Sequence, residues 1–371
     1  MATSIRQIKA SGGDDVDIAA WEAATDVALT TGTQYIGVCF NEAFAGAVTF
    51  AGATGTDSTT YRQLTGDDGT FGKAGTDQTF IPPVVAGKLR YLADGARATH
   101  TAQVFVVQEG YFRLYKMNLS VAAASYTTVI RLNDTNAIMS QCIIHRTNDA
   151  NNLSNYPMVE IVRGHAANCL VYHGENSEMT GSKNYMAINT WYGTSKIYYC
   201  TVLRPDSTTG NEYGFDTLNK PSSTQVVTNT LCANHNTLDF DNRDVNPTYT
   251  WTYNCSSDVT ADDEAGAGNI ISSAYSTSSG IYIVDDGVTT TLDARITADS
   301  SCYQTGTDLT GDALSAELRL DEDILGTARH ATTPCIGCFE VVAAAGGGLF
   351  MSQSPLDGLG VGGPFFRNPI G

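Results

Sequence analysis

Three short stretches of the sequence decide the fold: QCIIHRT (141–147), NCLVYHG (168–174) and YCTVLRP (199–205). Each places a cysteine directly before a run of branched and aromatic residues, a composition that favours β-strands. The second cysteine follows the first after 27 residues, and the third follows after another 31. One strand pattern that recurs at such a period indicates a solenoid, in which each coil of chain stacks on the previous one.

Weaker copies of the pattern continue toward the C-terminus. They read LCANHNT (231–237) and NCSSDVT (254–260), so cysteines recur after a further 32 and 23 residues. Cys302 follows 47 residues later, which corresponds to about two more coils. Asn234 and Ser257 replace the branched residue of the first three copies, so the pattern fixes the strand register less strictly there. We expect one solenoid with coils of about 25–30 residues.

Alternation of side chains along a strand assigns this pattern to an inside and an outside. Cys142 and Ile144 share the inward face, and the cysteines of successive coils, through Cys302, are predicted to form a buried ladder of compact apolar side chains. The alternate positions, Ile143, Leu170 and Leu203, then point outward and are apolar. An outer apolar stripe favours lateral association with another subunit.

Charge and composition exclude several classes of partner. The chain has 371 residues and carries 39 acidic against 21 basic side chains, a formal net charge of −18. Such a surface repels phosphate, so we expect neither nucleic acid nor an anionic membrane as a partner. The chain has no apolar run of about 18 residues that would span a membrane. Nine cysteines without an export signal predict synthesis in a reducing cytosol, and the odd number argues against a complete disulfide framework.

The N-terminal part differs in character from the rest. Residues 14–30 are predicted to form a helix that Asp14 or Asp15 caps, with apolar residues at helical spacing. From residue 34 onward, short β-rich runs alternate with turns that are rich in Asn, Asp, Ser and Gly. We therefore expect an N-terminal strand and capping helix at 1–33, a solenoid at 34–340, and a glycine-rich apolar arm at 341–371.

The stretch DILGTARHATTPCIGCFE (323–340) resembles the closing motif of many bacterial and phage right-handed parallel β-helix proteins. The matching residues are Asp323, Gly326 and Arg329 in the first half, and Ile336, Gly337, Phe339 and Glu340 in the second. Cys335 and Cys338 stand where the family usually has Asp and Ala. The opening IRQIKASGGDDVDIAAWEAAT (5–25) is similar to the cap of such solenoids in phage structural proteins. The resemblance implies an all-β fold, a right-handed single-stranded parallel β-helix with a short N-terminal helical cap.

The pair Cys335 and Cys338 has the Cys-x-x-Cys spacing of a metal or redox motif. If this stretch is extended, the two side chains point to opposite faces, Cys338 inward and Cys335 outward. Opposed thiols cannot share one metal ion, and no second pair follows to complete four ligands. We predict no metal site, no cofactor site and no catalytic residue.

Other polar clusters point to turns rather than to chemistry. Asp239, Asp241 and Asp244 alternate as calcium ligands do, but the position of an EF-hand's closing Glu is Thr250. Histidines near strand ends are expected to be exposed or hydrogen-bonded: His145, His165, His173 and His235. β-Helix glycosidases use two carboxylates across a groove, and the sequence does not single out one pair among 39 acidic residues.

Aromatic side chains are the strongest candidates for binding. Rings that point outward could stack on sugars or fill a subunit interface, and the clustered candidates are Trp191, Tyr192, Tyr249 and Trp251. The apolar C-terminal arm is either a strap folded back on the solenoid or a docking arm for a neighbouring subunit, with Phe350, Phe365 and Phe366 as its contacts.

Taken with the resemblance, these features predict a non-enzymatic structural protein of a bacteriophage virion. We expect it to be made in the host cytoplasm and displayed on the particle as a homotrimer, either decorating the capsid or forming a short appendage beside other virion proteins. One alternative is a receptor-binding tailspike that binds or depolymerises host surface glycan. Another is a cellular β-helix polysaccharide lyase or adhesin.

Overall fold

Short β-strands dominate the computed structural model. It describes residues 2–40, 42–66, 97–100, 103–121, 128–146, 157–173, 184–203, 211–217, 224–235, 237–242, 248–264, 266–273 and 295–341, with the backbone of 84–85 and 88–89. Within this part of the chain, no helix is long and apolar enough to cross a membrane.

Strands β1 to β26 follow one another along the chain. The first thirteen are β1 (Ala2–Ile8), β2 (Thr33–Cys39), β3 (Ala43–Ala45), β4 (Val48–Phe50), β5 (Tyr61–Gly66), β6 (Val84–Val85), β7 (Lys88–Leu89), β8 (Arg97–His100), β9 (Phe105–Val107), β10 (Arg113–Tyr115), β11 (Asn118–Val121), β12 (Ile130–Leu132) and β13 (Ile138–Ser140). The remainder are β14 (Ile143–Arg146), β15 (Val159–Ile161), β16 (Gly164–Ala167), β17 (Leu170–His173), β18 (Asn184–Thr190), β19 (Thr194–Tyr198), β20 (Thr201–Leu203), β21 (Asn211–Thr217), β22 (Thr224–Thr228), β23 (Leu231–Ala233), β24 (Leu238–Asn242), β25 (Thr248–Thr252) and β26 (Cys255–Ser256). The helices are α1 (Ile18–Thr25), a 3₁₀ turn (Thr260–Asp262) and α2 (Ser315–Leu318).

These strands form three long sheets. Sheet 1 has the order β1-β2-β5-β10-β13-β16-β19-β22-β25, sheet 2 the order β3-β8-β11-β14-β17-β20-β23-β26, and sheet 3 the order β4-β9-β12-β15-β18-β21-β24. Among the described strands, every pairing within these sheets is parallel, and β6 and β7 form a separate antiparallel pair. From β2 onward the chain visits sheets 1, 2 and 3 in rotation, so each circuit is one coil. The predicted parallel β-helix is confirmed.

The corner between sheets 1 and 2 is constant from β10 onward. Two residues separate the strands there in six successive coils. The first of the two adopts a left-handed backbone conformation in each coil, with φ between 51° and 56°, at Lys116, Gln141, Asn168, Tyr199, Asn229 and Tyr253. None of these residues is glycine, for which this conformation is easy, so the surrounding coils hold the backbone in place.

The predicted cysteine ladder begins as expected. Strand pairing aligns Ile143 with Leu170 and Leu170 with Thr201, so the preceding residues Cys142, Cys169 and Cys200 stack on one another. All three side chains are fully buried in the interior core.

The prediction that the ladder continues beyond Cys200 is wrong. Cys232 pairs with Val202, so it stays inside the solenoid but in the neighbouring inward column. Cys255 pairs with Leu231, whose side chain faces outward. Cys255 therefore also faces outward, since a shift by one residue moves a side chain to the other face of a strand. Cys302 lies outside the coils altogether.

Helix α1 closes the N-terminal end of the solenoid. Asp17 caps it by accepting a hydrogen bond from the Ala20 amide at 2.7 Å. The side chain of Trp21, on the same helix, is fully buried. The helix is shorter than the predicted 14–30, because Asp15 pairs with Arg6 of β1 at 2.7 Å instead of capping a helix. Gly37 permits this packing, since a Cβ there would lie 2.8 Å from the Trp21 ring.

Residues 295–341, which we call the cover segment, lie against the outside of sheets 1 and 2. The sequence predicted coils up to residue 340, whereas the described strands of the three sheets end at Ser256. Apolar residues of the cover segment pack on the outer side of sheet 2. Its short helix α2 contacts sheet 1 next to β13 and β16.

Candidate functional site

The outer face of sheet 2 is apolar and covered. Ile143, Leu170 and Leu203 point away from the interior, as predicted, and each is fully buried. They belong to a second apolar cluster, separate from the interior core, which includes Ile324 and Phe339 of the cover segment. The apolar stripe is therefore satisfied within the chain and provides no argument for lateral association.

The closing motif fastens the cover segment to the coils. The Arg329 guanidinium lies over the Tyr199 ring at 3.7 Å and donates a hydrogen bond to the Asn168 side-chain oxygen at 2.8 Å. It also pairs with Glu340 at 3.4 Å, and both of these side chains are almost fully buried. Because Tyr199 and Asn168 belong to the left-handed corner column, the motif binds to the most regular edge of the solenoid.

Asp323 stabilises the same motif from within. Its carboxylate accepts hydrogen bonds from the backbone amides of Leu325, Thr327 and Glu340 at 2.7–2.9 Å. Burial raises the pKa of Asp323 to about 6, although the Arg329 charge and these amides act in the opposite direction. The spacing of the charged residues in the motif is thus explained by local structure rather than by chemistry on a ligand.

The two cysteines of CIGCFE occupy unexpected places. Cys335 and Cys338 are both fully buried, and both pack in the apolar cluster outside sheet 2. The prediction that Cys338 points into the solenoid interior and Cys335 to the outside is wrong, because the stretch crosses sheet 2 from outside instead of forming a coil. The Cys338 amide donates to the Thr201 hydroxyl of β20 at 2.8 Å. Within the described residues, no group of three or more His, Cys, Asp or Glu side chains is arranged to hold a metal ion.

The outer face of sheet 3 carries a different pattern. Strand pairing stacks one outward column through successive coils. We call this column the polar ladder; its members are Arg131, Glu160, Asn189, Asp216 and Asp241. The residue before each of them belongs to the interior core, so the ladder faces away from it; these residues are Ile130, Val159, Ile188, Phe215 and Phe240.

The ladder residues interact along the solenoid axis. The Arg131 guanidinium lies 3.4 Å from a carboxylate oxygen of Glu160, and the Asn189 amide donates to Asp216 at 3.3 Å. Glu160, Asn189 and Asp216 are buried, whereas the side chain of Arg131 is 39% exposed and Asp241 at the other end is partly exposed. Burial raises the pKa of Glu160, and the positive charge of Arg131 offsets part of that rise.

Two of the four predicted aromatic contact residues are close to this ladder. Trp191 follows β18, two residues beyond Asn189, and its amide donates to the Ile161 carbonyl at 3.0 Å. The ring of Tyr192 lies 6.4 Å from that of Trp191, and Tyr192 is 40% exposed. The Tyr192 ring is therefore at the surface, whereas Trp191 is half-buried beside it.

The other two aromatic residues are interior. Trp251 is fully buried, and its ring packs edge-on against Phe215 at 5.9 Å. Tyr249 is also buried and stacks beside Trp251 at 6.3 Å. The prediction that Tyr249 and Trp251 present outward rings is wrong, because both occupy inward positions of β25. Phe350, Phe365 and Phe366 of the predicted docking arm lie outside the described residues.

The remaining polar candidates are structural where the chain is described. Asp239 is fully buried; it contacts His235 at 2.9 Å and accepts from the Ser257 amide at 2.6 Å, which fixes the turn after β26. Asp244 lies outside the described part of the chain.

The other histidines of the sequence prediction lie on strands of sheets 1 and 2. His165 accepts a hydrogen bond from the Lys196 amide at 3.2 Å. His145 is buried, and its ring lies 4.6 Å from that of Tyr172. The side chain of His173 lies outside the described part.

No protein-family model matches the chain, and no curated protein matches it. Among solved structures, the crystal structure of pectate lyase Pel9A is similar, with 12% sequence identity and a TM-score of 0.44 over 92% of this chain and 97% of that chain. The assignment of this chain to the parallel β-helix class rests on the strand pairing itself. The sequence analysis did not predict the polar ladder. The alternation of side chains along a strand indicates such a column only once the register of sheet 3 is known.

Proposed function

We propose that this chain is a structural β-helix protein of a bacteriophage particle, and that it binds a host-surface polysaccharide along the outer face of sheet 3 without cleaving it. One observation carries the binding part: the polar ladder, with Trp191 and Tyr192 beside it, forms the hydrogen-bonding face, while the outer side of sheet 2 is occupied by the cover segment. The virion setting and the trimer rest on the sequence resemblance at both ends of the chain.

The geometry of the polar ladder favours binding over catalysis as the proposed function. The middle of the ladder is buried and its ends are partly exposed, so a sugar chain meets Arg131, Asp241 and the exposed ring of Tyr192 first. Hydroxyl groups of a glycan hydrogen-bond well to carboxylate and guanidinium groups, and sugar rings stack on aromatic faces.

A glycan array probed with the purified chain tests the binding proposal. For the glycan that binds, we expect Asp241→Asn and Trp191→Ala each to weaken affinity about tenfold, the effect of losing one charge-assisted hydrogen bond or one stacked ring. Asp299→Asn, which changes an exposed acidic residue on the cover segment, is the matched control and should bind as the wild type does. Equal binding by all three variants would contradict the site.

The virion and trimer parts need separate measurements. Mass spectrometry of purified particles and antibody labelling in electron micrographs should detect the chain on the particle surface. Sedimentation equilibrium should give three times the mass of the chain. A monomeric mass would refute the proposed trimer without bearing on the proposed glycan site.

One observation favours polysaccharide cleavage as a second candidate. Glu160 and Asp216 stand two coils apart on the same column, a separation of about 10 Å at the usual strand spacing, close to that of inverting glycosidases. Burial raises the pKa of Glu160, as a general acid requires. Release of reducing ends from the bound glycan, abolished in Glu160→Gln, would establish this activity in place of binding alone.

A further inference from the structure

Two cysteines from distant parts of the sequence meet where the cover segment lies on the last coil. Cys255 is the first residue of β26 and faces outward, while Cys302 belongs to the cover segment. Both are fully buried in the same apolar cluster, and the pKa of Cys302 is raised by burial and by the neighbouring Cys255 thiol. Both are free thiols in this structure.

The backbone around both cysteines is held in place. Residue Ser301 contacts Ser273 through their hydroxyl oxygens at 2.9 Å, and the Ser273 amide donates to the carbonyl of Ser256, the neighbour of Cys255, at 3.1 Å. On the other side, the Cys302 carbonyl accepts from the Ile336 amide at 2.9 Å. These contacts join the backbone next to Cys255 to the backbone next to Cys302 and hold the two segments side by side.

This pair differs from the stacked cysteines of the interior. Cys142, Cys169 and Cys200 sit at the same corner position of successive coils, and the coil spacing of about 4.8 Å is wider than a relaxed disulfide prefers between Cβ atoms. Cys255 and Cys302 approach from two different segments, so the strand spacing does not set the distance between them. Their contact joins the cover segment to the coils.

We propose that Cys255 and Cys302 form a disulfide bond that locks the cover segment onto the solenoid when the protein leaves a reducing environment. The oxidant is a small-molecule disulfide such as oxidised glutathione. One protein thiolate attacks it and releases one glutathione thiol; the second protein thiolate then attacks the mixed disulfide and releases the other. Two protein thiols lose two electrons and two protons, which reduce one oxidised glutathione to two thiols.

The bond forms through local opening of the cover segment. Burial raises the pKa of Cys302 well above its usual range, and a buried thiol reacts slowly. Opening of the segment exposes both groups, and reclosure brings them together again. Once formed, the bond closes the chain between residues 255 and 302 and reduces the freedom of the unfolded state.

Peptide mapping of the wild-type chain after equilibration in a buffer of oxidised and reduced glutathione tests the proposal directly. We expect a linked peptide pair that contains Cys255 and Cys302, while Cys142, Cys169 and Cys200 are alkylated as free thiols after unfolding. Recovery of both Cys255 and Cys302 as free thiols, or their linkage to other cysteines, would overturn the proposal.

Thermal unfolding provides a second measurement. The oxidised wild type should unfold about 5 °C or more above the reduced form. Cys302→Ala should abolish this difference between oxidised and reduced samples, whatever its effect on absolute stability. Cys335→Ala removes another buried thiol from the same segment and should keep the difference; an equal difference in all three proteins would refute the assignment to this pair.

Discussion

The outer faces of sheets 2 and 3 are built from the same kind of strand, but they have opposite chemistry. On sheet 2 the outward column contains Ile143, Leu170 and Leu231, and the cover segment buries it. On sheet 3 the outward column is the polar ladder, from Arg131 to Asp241. The interior core is continuous behind both sheets.

The difference shows that the coil backbone leaves the outside of a β-helix free to specialise. Inward positions are mostly apolar and stack in the core, whereas the outward columns of sheets 2 and 3 differ in chemistry. A column of branched residues needs another segment on top of it to avoid exposed apolar area. A column of charged and amide groups instead forms pairs along the axis, as Arg131 does with Glu160 and Asn189 does with Asp216.

Removal of the arginine that holds the cover segment on the coils should have the largest effect on stability. Arg329→Ala leaves the carboxylate of Glu340 buried without its ion pair and removes the hydrogen bond to Asn168. We expect a loss of about 3–5 kcal/mol in the free energy of unfolding and faster hydrogen exchange across the cover segment. Denaturant titration and exchange mass spectrometry measure these two effects.

The control for this change is Arg319→Ala on the same segment. Arg319 pairs with Glu322 at 3.0 Å, and both side chains are 26% exposed, so its loss should cost only about 0–1 kcal/mol. Similar losses for the two arginines would show that the closing motif does not fasten the segment.

A cavity under the cover segment should have the next largest effect. Leu170→Ala truncates a fully buried side chain and should cost about 2–5 kcal/mol. Val106 is the matched position on sheet 3, where it pairs with Arg131 and is partly exposed; Val106→Ala should cost less than about 1 kcal/mol. Equal costs in denaturant titration would contradict the contrast between the two faces.

Acid should loosen the covered side through His165 on sheet 1. Burial and then the Lys196 charge lower the pKa of His165 to about 4, although Asp312 of the cover segment acts in the opposite direction. Between a pH of about 6.5 and about 4, the unfolded chain therefore binds a proton that the folded chain resists, so stability falls as the pH falls. The loss from this group reaches about 3 kcal/mol.

The variant His165→Asn isolates that contribution. The Asn side-chain oxygen can accept the bond from the Lys196 amide without titrating. The difference in unfolding free energy between wild type and variant should change between a pH of about 6.5 and about 4 and stay constant above about pH 7. A constant difference over the whole range would rule out the histidine as the source.

The smallest effect is expected on the polar face. Glu160 pairs with a partly exposed arginine, and burial of its charged form carries a cost, so Glu160→Gln should change stability by less than about 1 kcal/mol at about pH 7. Since the folded-state pKa of Glu160 is raised from its ordinary value of 4.5, the wild type loses stability relative to this variant as the pH rises through that value and above. Unfolding titrations at about pH 4 and about pH 7 measure the sign.

The sequence was sufficient for the architecture where one pattern repeated without interruption. Cys142, Cys169 and Cys200 each precede branched residues at the same offset, and this predicted both the parallel stacking and the outward position of Leu170. The ladder prediction failed from Cys232 onward, because Cys232 is shifted by two residues and Cys255 by one residue relative to the first three copies. A period count does not detect such shifts.

The candidate site was less predictable, because it depends on the pairing of strands across coils. Glu160 and Asp216 are separated by variable turns, so nothing local in the sequence shows that they share a column. The aromatic cluster at 249–253 looked the same as that at 191–192, but only the register tells which rings face inward. Similarly, the resemblance of the closing motif indicated the fold without showing that the motif lies on the outside of sheet 2.

The two-residue corner between sheets 1 and 2 has a consequence for engineering. It allows no extra residue without displacing the left-handed column that Arg329 and its neighbours contact. From β11 onward, the connections from sheet 2 to sheet 3 range from four residues, between Ala233 and Leu238, to twelve, between Arg146 and Val159. Because their length varies from coil to coil, a foreign peptide grafted into a connection from sheet 2 to sheet 3 should disturb the stacking less than an insertion at the constant corner.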